Sequence, residues 1–438
     1  METIFRSGTI LTIDPNHRVL EGDVAMRDGV IVHVGGTFTP SAPGYTVVDC
    51  TGCVVMPGMI QAHVHTCQTL ARGRADDLEL LDWLRQVIWP YEAALDADAA
   101  TAAGELACAE LLLGGTTAIL DMATVHHTDR FFTAAERSGI RATIGKAMMD
   151  APDPHIPPGL RETTQSSLDE SAALIRQFHG TAGGRLRYAY APRFVLSCTD
   201  ELLREVGAQA KARELGIHTH ASENVGEVAL VEQRFGKSNI EVLDDFGLLG
   251  PHACIAHAIH LSHGDRALLA SRGAHVCTCP SSNLKLASGI AQVPELLAAG
   301  VSVALGADGA PCNNNLDAFH ELRLLALLHK PRSGPRTLPA PDAVRIATAG
   351  GAAALGLSDQ LGSLELGKRG DVIAVDITAL HTVPAASPWS QIAYAARSFD
   401  VRHVAVDGRL LVRDRELLTL DVGKIRASAN EAASRLFR

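Results

Sequence analysis

An α/β architecture, a (β/α)8 barrel with a small β-sandwich domain formed by both chain ends, is what this sequence predicts. From Pro57 onwards, eight short apolar strands alternate with long amphipathic stretches, the signature of a closed parallel sheet wrapped in helices. The two ends instead read as short strands broken by turns. The length, 438 residues, is too great for one small core and suffices for a barrel of roughly 250 residues plus a second domain. The expected division is 1–56 and 361–438 for the β-sandwich domain, the second part ending in a helix, and 57–360 for the barrel.

In chain order, the first strands are 9–13 and 23–26. Asp28-Gly29 then supplies the positive φ that a tight hairpin needs and leads into 30–34, followed by 47–49. The barrel strands are expected at 59–63, 116–121, 141–146, 185–191, 216–220, 253–257, 274–278 and 302–308, with helical runs such as 98–113, 200–215 and 265–272 between them. An open doubly wound sheet is the alternative, and because no GxGxxG opens a helix, its dinucleotide-binding form is disfavoured. The Pro-rich stretches 152–158 and 331–341 read as loops at barrel edges. After 361 the β character returns at 371–375, at 401–406, and past the Asp407-Gly408 turn at 410–412. The last helix, 422–436, is expected to cap the small domain, whose two halves pair because chain ends tend to lie together.

Apolar residues at 47% and charged residues at 20% describe an ordinary globular chain. A net charge of −10 with no basic stripe argues against a nucleic-acid partner. No apolar run reaches the roughly 18 residues that span a bilayer. METIFRSGTILTID alternates like a strand and lacks the apolar core of a signal peptide. A cytoplasmic protein with no membrane partner is expected. The nine cysteines are scattered, and neither Cys50/Cys53 nor Cys277/Cys279 has the second pair of a zinc ribbon, so all read as small buried hydrophobes.

The polar residues at the strand ends carry the chemistry. In such a barrel the site is built where strands end, and those positions hold His63 and His65 on the first strand, Arg193 just past the fourth, His220 on the fifth, His257 on the sixth and Asp308 on the eighth. Two histidines at i and i+2 project to one strand face. Three imidazoles and one carboxylate suit one divalent ion, Zn²⁺ or Fe²⁺, with a position left for water whose pKa the metal lowers to about 7. Glu223, three residues after His220, can move that water's proton to a leaving nitrogen. His257 can orient the water or polarise the bond under attack, and Asp308 can be both ligand and proton acceptor. His218 shares the inward face of His220 and competes with it. His220 is preferred because it ends the strand and sets the spacing to Glu223.

With PGMIQAHVH, HASE, Ala256-His257, LGADGAPCNN and the closing GSLELGKRGDVI quoted, the chain resembles the amidohydrolase superfamily over nearly its whole length. The similarity is to the mononuclear branch of S-adenosylhomocysteine/5'-deoxyadenosine deaminases, guanine deaminases and triazine hydrolases. The resemblance implies metal ligands at His63, His65, His220 and Asp308, a proton shuttle at Glu223 and a catalytic histidine at His257. The fourth strand, RLRYAYAPR, lacks the lysine that binuclear members carboxylate, which implies one metal, Zn²⁺ first.

Gln68 and Arg193-Phe194 resemble the guanine-deaminase pattern, in which an amide and a guanidinium grip the ring edge and an aromatic ring covers its face. Glu92, closing DDLELLDWLRQVIWPYE, is similar to the glutamate that holds ribose hydroxyls in nucleoside deaminases, and guanine deaminases carry it too. The stretch QFHGTAGGR resembles the triazine hydrolases. The implied activity is therefore hydrolytic deamination of a purine-like heterocycle, with triazine or pterin hydrolysis by the same attack as the alternative. A homo-oligomer, dimer or tetramer, is expected.

Overall fold

Eight parallel strands close on themselves in the computed structural model, which describes residues 2–40, 43–384 and 386–437. Met1, Ser41, Ala42, Ala385 and Arg438, which the expected end segments include, lie outside the described residues. We label the barrel strands β1 (Met59–His65), β2 (Thr116–Met122), β3 (Arg141–Gly145), β4 (Leu186–Pro192), β5 (Gly216–Ala221), β6 (Ala253–His257), β7 (His275–Thr278) and β8 (Ser302–Leu305). They pair in chain order, and Leu305 of β8 lies beside Gln61 of β1 to close the ring. The expected ranges hold to a residue or two except at β8, which breaks after Leu305 and resumes as the two-residue strand Asp308–Gly309 beside Val64 and His65 of β1, with Asp308 at a φ of 63°.

Alternation along β4 shows how the barrel sorts its residues. Tyr188 and Tyr190 face outward, Tyr188 over Phe132, which stacks on Phe178. Ala189 faces inward among Ile60, Ala62, Cys254, Cys277 and Ala304. Small residues dominate this inner layer because eight strands leave room only for side chains. The nine cysteines are all buried and free, as small hydrophobes. Among the described residues no helix is long and apolar enough to cross a membrane.

The outer helices start where capping residues allow. Asp96 accepts from the Ala99 amide ahead of Ala97–Leu113, Thr199 from the Leu202 amide ahead of Asp200–Arg213, and Ser262 and Asp265 form a reciprocal box ahead of His263–Arg272. The stretch 331–341 is not all loop, since Lys330–Ser333 makes one helical turn and Ala340–Arg345 begins another helix. A larger correction concerns the last helix, Val422–Leu436. It packs on Ala97–Leu113 and the turn Thr66–Ala71 of the barrel instead of capping the small domain. Its apolar stripe, Ile425, Ala429 and Ala432, is buried there, and Phe437 stacks on Tyr91.

Both chain ends meet in the small β domain. Cys53–Pro57 pairs antiparallel with Val372–Asp376 and parallel with Glu2–Leu11, so a block of N-terminal strands and a block of C-terminal strands join in one hydrogen-bonded path at this seam. The first strand spans Glu2–Leu11 rather than 9–13, with a bulge at Ser7 (φ 64°), and it ends before Ile13 (φ 56°). Asp28-Gly29 and Asp407-Gly408 both take positive φ at each residue, the geometry that a two-residue hairpin demands.

Arg141, at the start of β3, clamps the two units. Its Nε and Nη2 donate to the Asp371 carboxylate at 2.9 and 3.0 Å, and Nη2 donates to Asp407 at 2.5 Å. The guanidinium and Asp371 are buried, so removing the cation leaves a buried carboxylate with the Asp407 amide, at 2.9 Å, in place of an ion pair. Arg141→Met is therefore expected to destabilise the fold by about 3–5 kcal/mol. Urea unfolding with an unchanged midpoint would refute the clamp.

Candidate active site

At the C-terminal mouth of the barrel, strand ends bring together His63 and His65 from β1, His220 from β5, His257 from β6 and Asp308 just past β8. The ligand atoms of His63, His65 and Asp308 lie within 4.8 Å of one another, as do those of His63, His220 and His257. Asp308 Oδ1 stands 3.3 Å from His63 Nε2 and 3.4 Å from His65 Nε2. Asp308 Oδ2 accepts the Ser282 hydroxyl at 2.6 Å. All are buried except His220, which is partly so.

The tautomers follow from the partners. His65 Nδ1–H donates to the Met122 carbonyl at 2.7 Å, and His220 Nδ1–H to the Arg193 carbonyl at 2.6 Å. Each ring therefore turns an Nε2 lone pair toward the centre, and these two nitrogens sit 3.2 Å apart. Two facing lone pairs repel unless a cation lies between or beside them. His63 Nε2 is likewise buried with no hydrogen-bond partner among the described residues. Burial holds His63 and His220 below the ordinary histidine range and His65 down at about 3, so all three are neutral. Burial pushes Asp308 up, but the His63 ring 3.3 Å away outweighs it and holds the carboxyl well below its usual range. Neutral imidazoles around an ionised carboxylate are the protonation states a divalent cation requires. The donor set thus fits the expected metal.

His218, the competitor of His220, lies behind this set. Its Nε2 is 2.7 Å from His63 Nδ1, on the side away from Asp308. His257 sends Nδ1–H to Asn283 Oδ1 at 2.9 Å and points Nε2 toward Glu223 Oε2 at 3.5 Å and Asp308 Oδ2 at 3.9 Å. Burial raises Glu223 to about 7. Burial lowers His257, but the charges of Glu223 and Asp308 outweigh it and raise it.

The backbone is bent to make this arrangement. Ser222 (φ 54°), His257 (φ 69°), Ala258 (φ 47°) and Asp308 (φ 63°) all occupy the left-handed region that side chains disfavour. They turn the chain off the strand ends and aim its side chains into the mouth.

The four residues expected to meet a substrate form one network. Arg193 Nη1 and Nη2 donate to Glu92 at 2.5 and 3.2 Å, and Gln68 Nε2 donates to the same carboxylate at 2.9 Å. Arg193 and Phe194 line the cavity, whereas Gln68 and Glu92 are not among its lining residues and hold Arg193 in place.

A profile described as the amidohydrolase family matches residues 54–411. The chain belongs to that family. Over 423 residues this amidohydrolase is 42% identical to a 5-methylthioadenosine/S-adenosylhomocysteine deaminase of Syntrophobacter fumaroxidans, covering 96% of this chain and 94% of that protein. Among solved structures, it resembles an adenosine deaminase of Xanthomonas campestris with bound zinc, at a TM-score of 0.92 and 33% identity over 99% of this chain and 98% of the other. It also resembles a guanine deaminase of C. acetobutylicum with guanine in the active site, at a TM-score of 0.86 and 26% identity over 94% and 100%.

Sequence reasoning missed part of this amidohydrolase's site. Leu80, Trp83 and Leu84 line the cavity with Leu286, and their i, i+3, i+4 spacing inside the stretch that ends in Glu92 was the available signal. Ser282 and Asn283, which orient Asp308 and His257, sit in CPSSN. Glu227 accepts the Glu223 amide at 2.8 Å and so fixes the backbone of Glu223; its i+4 spacing on a helix start carried no such message.

Proposed function

We propose that this chain is a zinc-dependent deaminase that releases the exocyclic amine of an adenosine-type purine as ammonia. The observation that carries the reading is the pair of lone pairs on His65 and His220, 3.2 Å apart beside Asp308 and close to Glu223. His63, His65, His220 and Asp308 would hold the ion, and three imidazoles with a carboxylate suit zinc. When bound, a divalent cation lowers the pKa of a coordinated water to about 7. Glu223 takes the proton from the attacking water and passes it to the ring nitrogen beside the amine. His257, steadied by Asn283, hydrogen-bonds the entering oxygen through Nε2. Asp308, with one oxygen fixed by Ser282, accepts the second proton on its way to the departing amine. Water adds to the ring carbon, the carbon–nitrogen bond breaks, and a carbonyl and ammonia result. Trp83 and Phe194 offer aromatic faces to the planar ring. The 42% identical deaminase and the zinc-bound adenosine deaminase support this reading.

A second reading, a guanine-type base, rests on Glu92. Its carboxylate already accepts from Arg193 and Gln68, which leaves little capacity for ribose hydroxyls, while Arg193 keeps donors for a ring carbonyl. Ammonia release by the zinc-loaded enzyme from adenosine, 5'-deoxyadenosine, S-adenosylhomocysteine, guanine, a pterin and an s-triazine decides between them. Turnover of guanine and of no nucleoside selects the second reading, and release from none of the six overturns both. Glu223 must be ionised to accept a proton, so with burial raising it to about 7, kcat/KM is expected to fall about tenfold per pH unit below that value and to level off above it. A profile flat down to pH 5 would remove Glu223 from the role. The reading includes a cytoplasmic homo-oligomer, dimer or tetramer, which sedimentation velocity tests.

A further inference from the structure

The inner face of β4 carries an arginine toward each end of the barrel. Arg193, just past its C-terminal end, is neutralised by Glu92. Arg187, near its N-terminal end, is on the same face as Ala189 and opens into a separate cavity of about 70 Å³ at the opposite mouth. Arg187 is partly buried, yet it makes no ion pair or side-chain hydrogen bond with any described residue. Burial pushes it down, and the charge that acts on it is another cation, Arg141, itself already committed to Asp371 and Asp407. An uncompensated guanidinium in a cleft is costly unless something anionic joins it.

The cavity wall supplies further donors. The Tyr188 amide donates to His179 Nδ1 at 3.1 Å, so the His179 ring carries its proton on Nε2. Burial, with the charge of Arg187 adding to it, keeps that ring below the ordinary histidine range. Thr143 also lines the cavity, and no side-chain partner engages its hydroxyl among the described residues. Glu214, at the C-terminal end of Asp200–Arg213, is the acidic residue on the lining, and it stands exposed with no ion pair within 4 Å. By volume the cleft accepts several water molecules, or one anion of four or five heavy atoms.

We propose that this N-terminal mouth of the barrel binds a small oxyanion of the phosphate kind, gripped by the Arg187 guanidinium with the His179 Nε2–H and the Thr143 hydroxyl. Phosphate oxygens match a planar guanidinium in two parallel hydrogen bonds. The site lies at the opposite end of the barrel from His63 and Asp308, so occupancy leaves the catalytic geometry untouched.

The test is a titration of the zinc-loaded, full-length protein with inorganic phosphate at constant ionic strength, chloride making up the balance, read by calorimetry and by Tm. The expected result is a Tm that climbs with the logarithm of phosphate concentration in the wild type, and an affinity at least about tenfold weaker in Arg187→Gln, the loss of one charge-assisted pair. Glu214→Gln is expected to tighten phosphate by removing the repulsion at the rim. Without phosphate, Arg187→Gln should be as heat-stable as the wild type or more so, because a charge with no partner has been removed. No phosphate effect beyond that of chloride would overturn the proposal. So would equal phosphate binding by Arg187→Gln, which would place the ion at the metal instead, or a Glu214→Gln variant that loses stability because Glu214 was the real partner of Arg187. If Arg187→Gln does not fold, Thr143→Val carries the same readout: weakened binding supports the site and unchanged binding refutes it.

Discussion

Glu223→Gln, loaded with zinc, is expected to keep its metal and to lose about 10²–10⁴ in kcat. The amide has the size of the carboxyl and leaves the Glu223 backbone bond to Glu227 in place, but it cannot take a proton from water. Burial holds Glu223 near 7, so the native group can give and take a proton at neutral pH. Metal content by mass spectrometry and ammonia release measured together separate this from a binding defect. A variant within a factor of a few of the wild type would transfer the shuttle elsewhere, with His257 the neighbour in reach at 3.5 Å.

His220→Ala should do the reverse and lose the ion first. One of the two facing lone pairs disappears, and with it the ring that the Arg193 carbonyl holds in register. The loss in zinc affinity should exceed the 10–100-fold that follows removal of a residue merely supporting a ligand. His218→Ala supplies that smaller benchmark, because His218 touches the metal set only through His63 Nδ1. Zinc dissociation constants from chelator competition would rank the two. If His218→Ala loses more zinc than His220→Ala, the two histidines of β5 have exchanged roles.

Much of this was legible in the chain because it is written locally. The period of two along β1 and β5 put His63 with His65, and His218 with His220, on one face, and the strand ends named the side chains that meet at the barrel mouth. Asp28-Gly29 and Asp407-Gly408 announced their turns through the one conformation that glycine makes easy. What escaped depends on partners far apart in sequence. Nothing in the stripe Ile425, Ala429, Ala432 says which surface will cover it, and the barrel helix Ala97–Leu113 took it in place of the small sheet. Glu92 and Arg193 are separated by 101 positions, and only the folded chain shows the supposed ribose reader spent on the supposed ring reader. Trp83 was hidden for another reason: an apolar residue on a helix looks the same whether it roofs a cavity or fills a core.

The left-handed backbone at Ser222, His257, Ala258 and Asp308 bears on how this protein could be made hardier. Each such residue costs of order 1 kcal/mol or more, so directed evolution under heat alone would enrich glycine or asparagine at all four positions. At 222 and 258 the change relaxes the chain and spares the reacting groups. At 257 and 308 it removes the imidazole and the carboxylate, and the heat-resistant survivors would be dead. Sorting one variant library twice, once for survival of heating and once for ammonia release, should split these four positions into two compatible and two antagonistic ones.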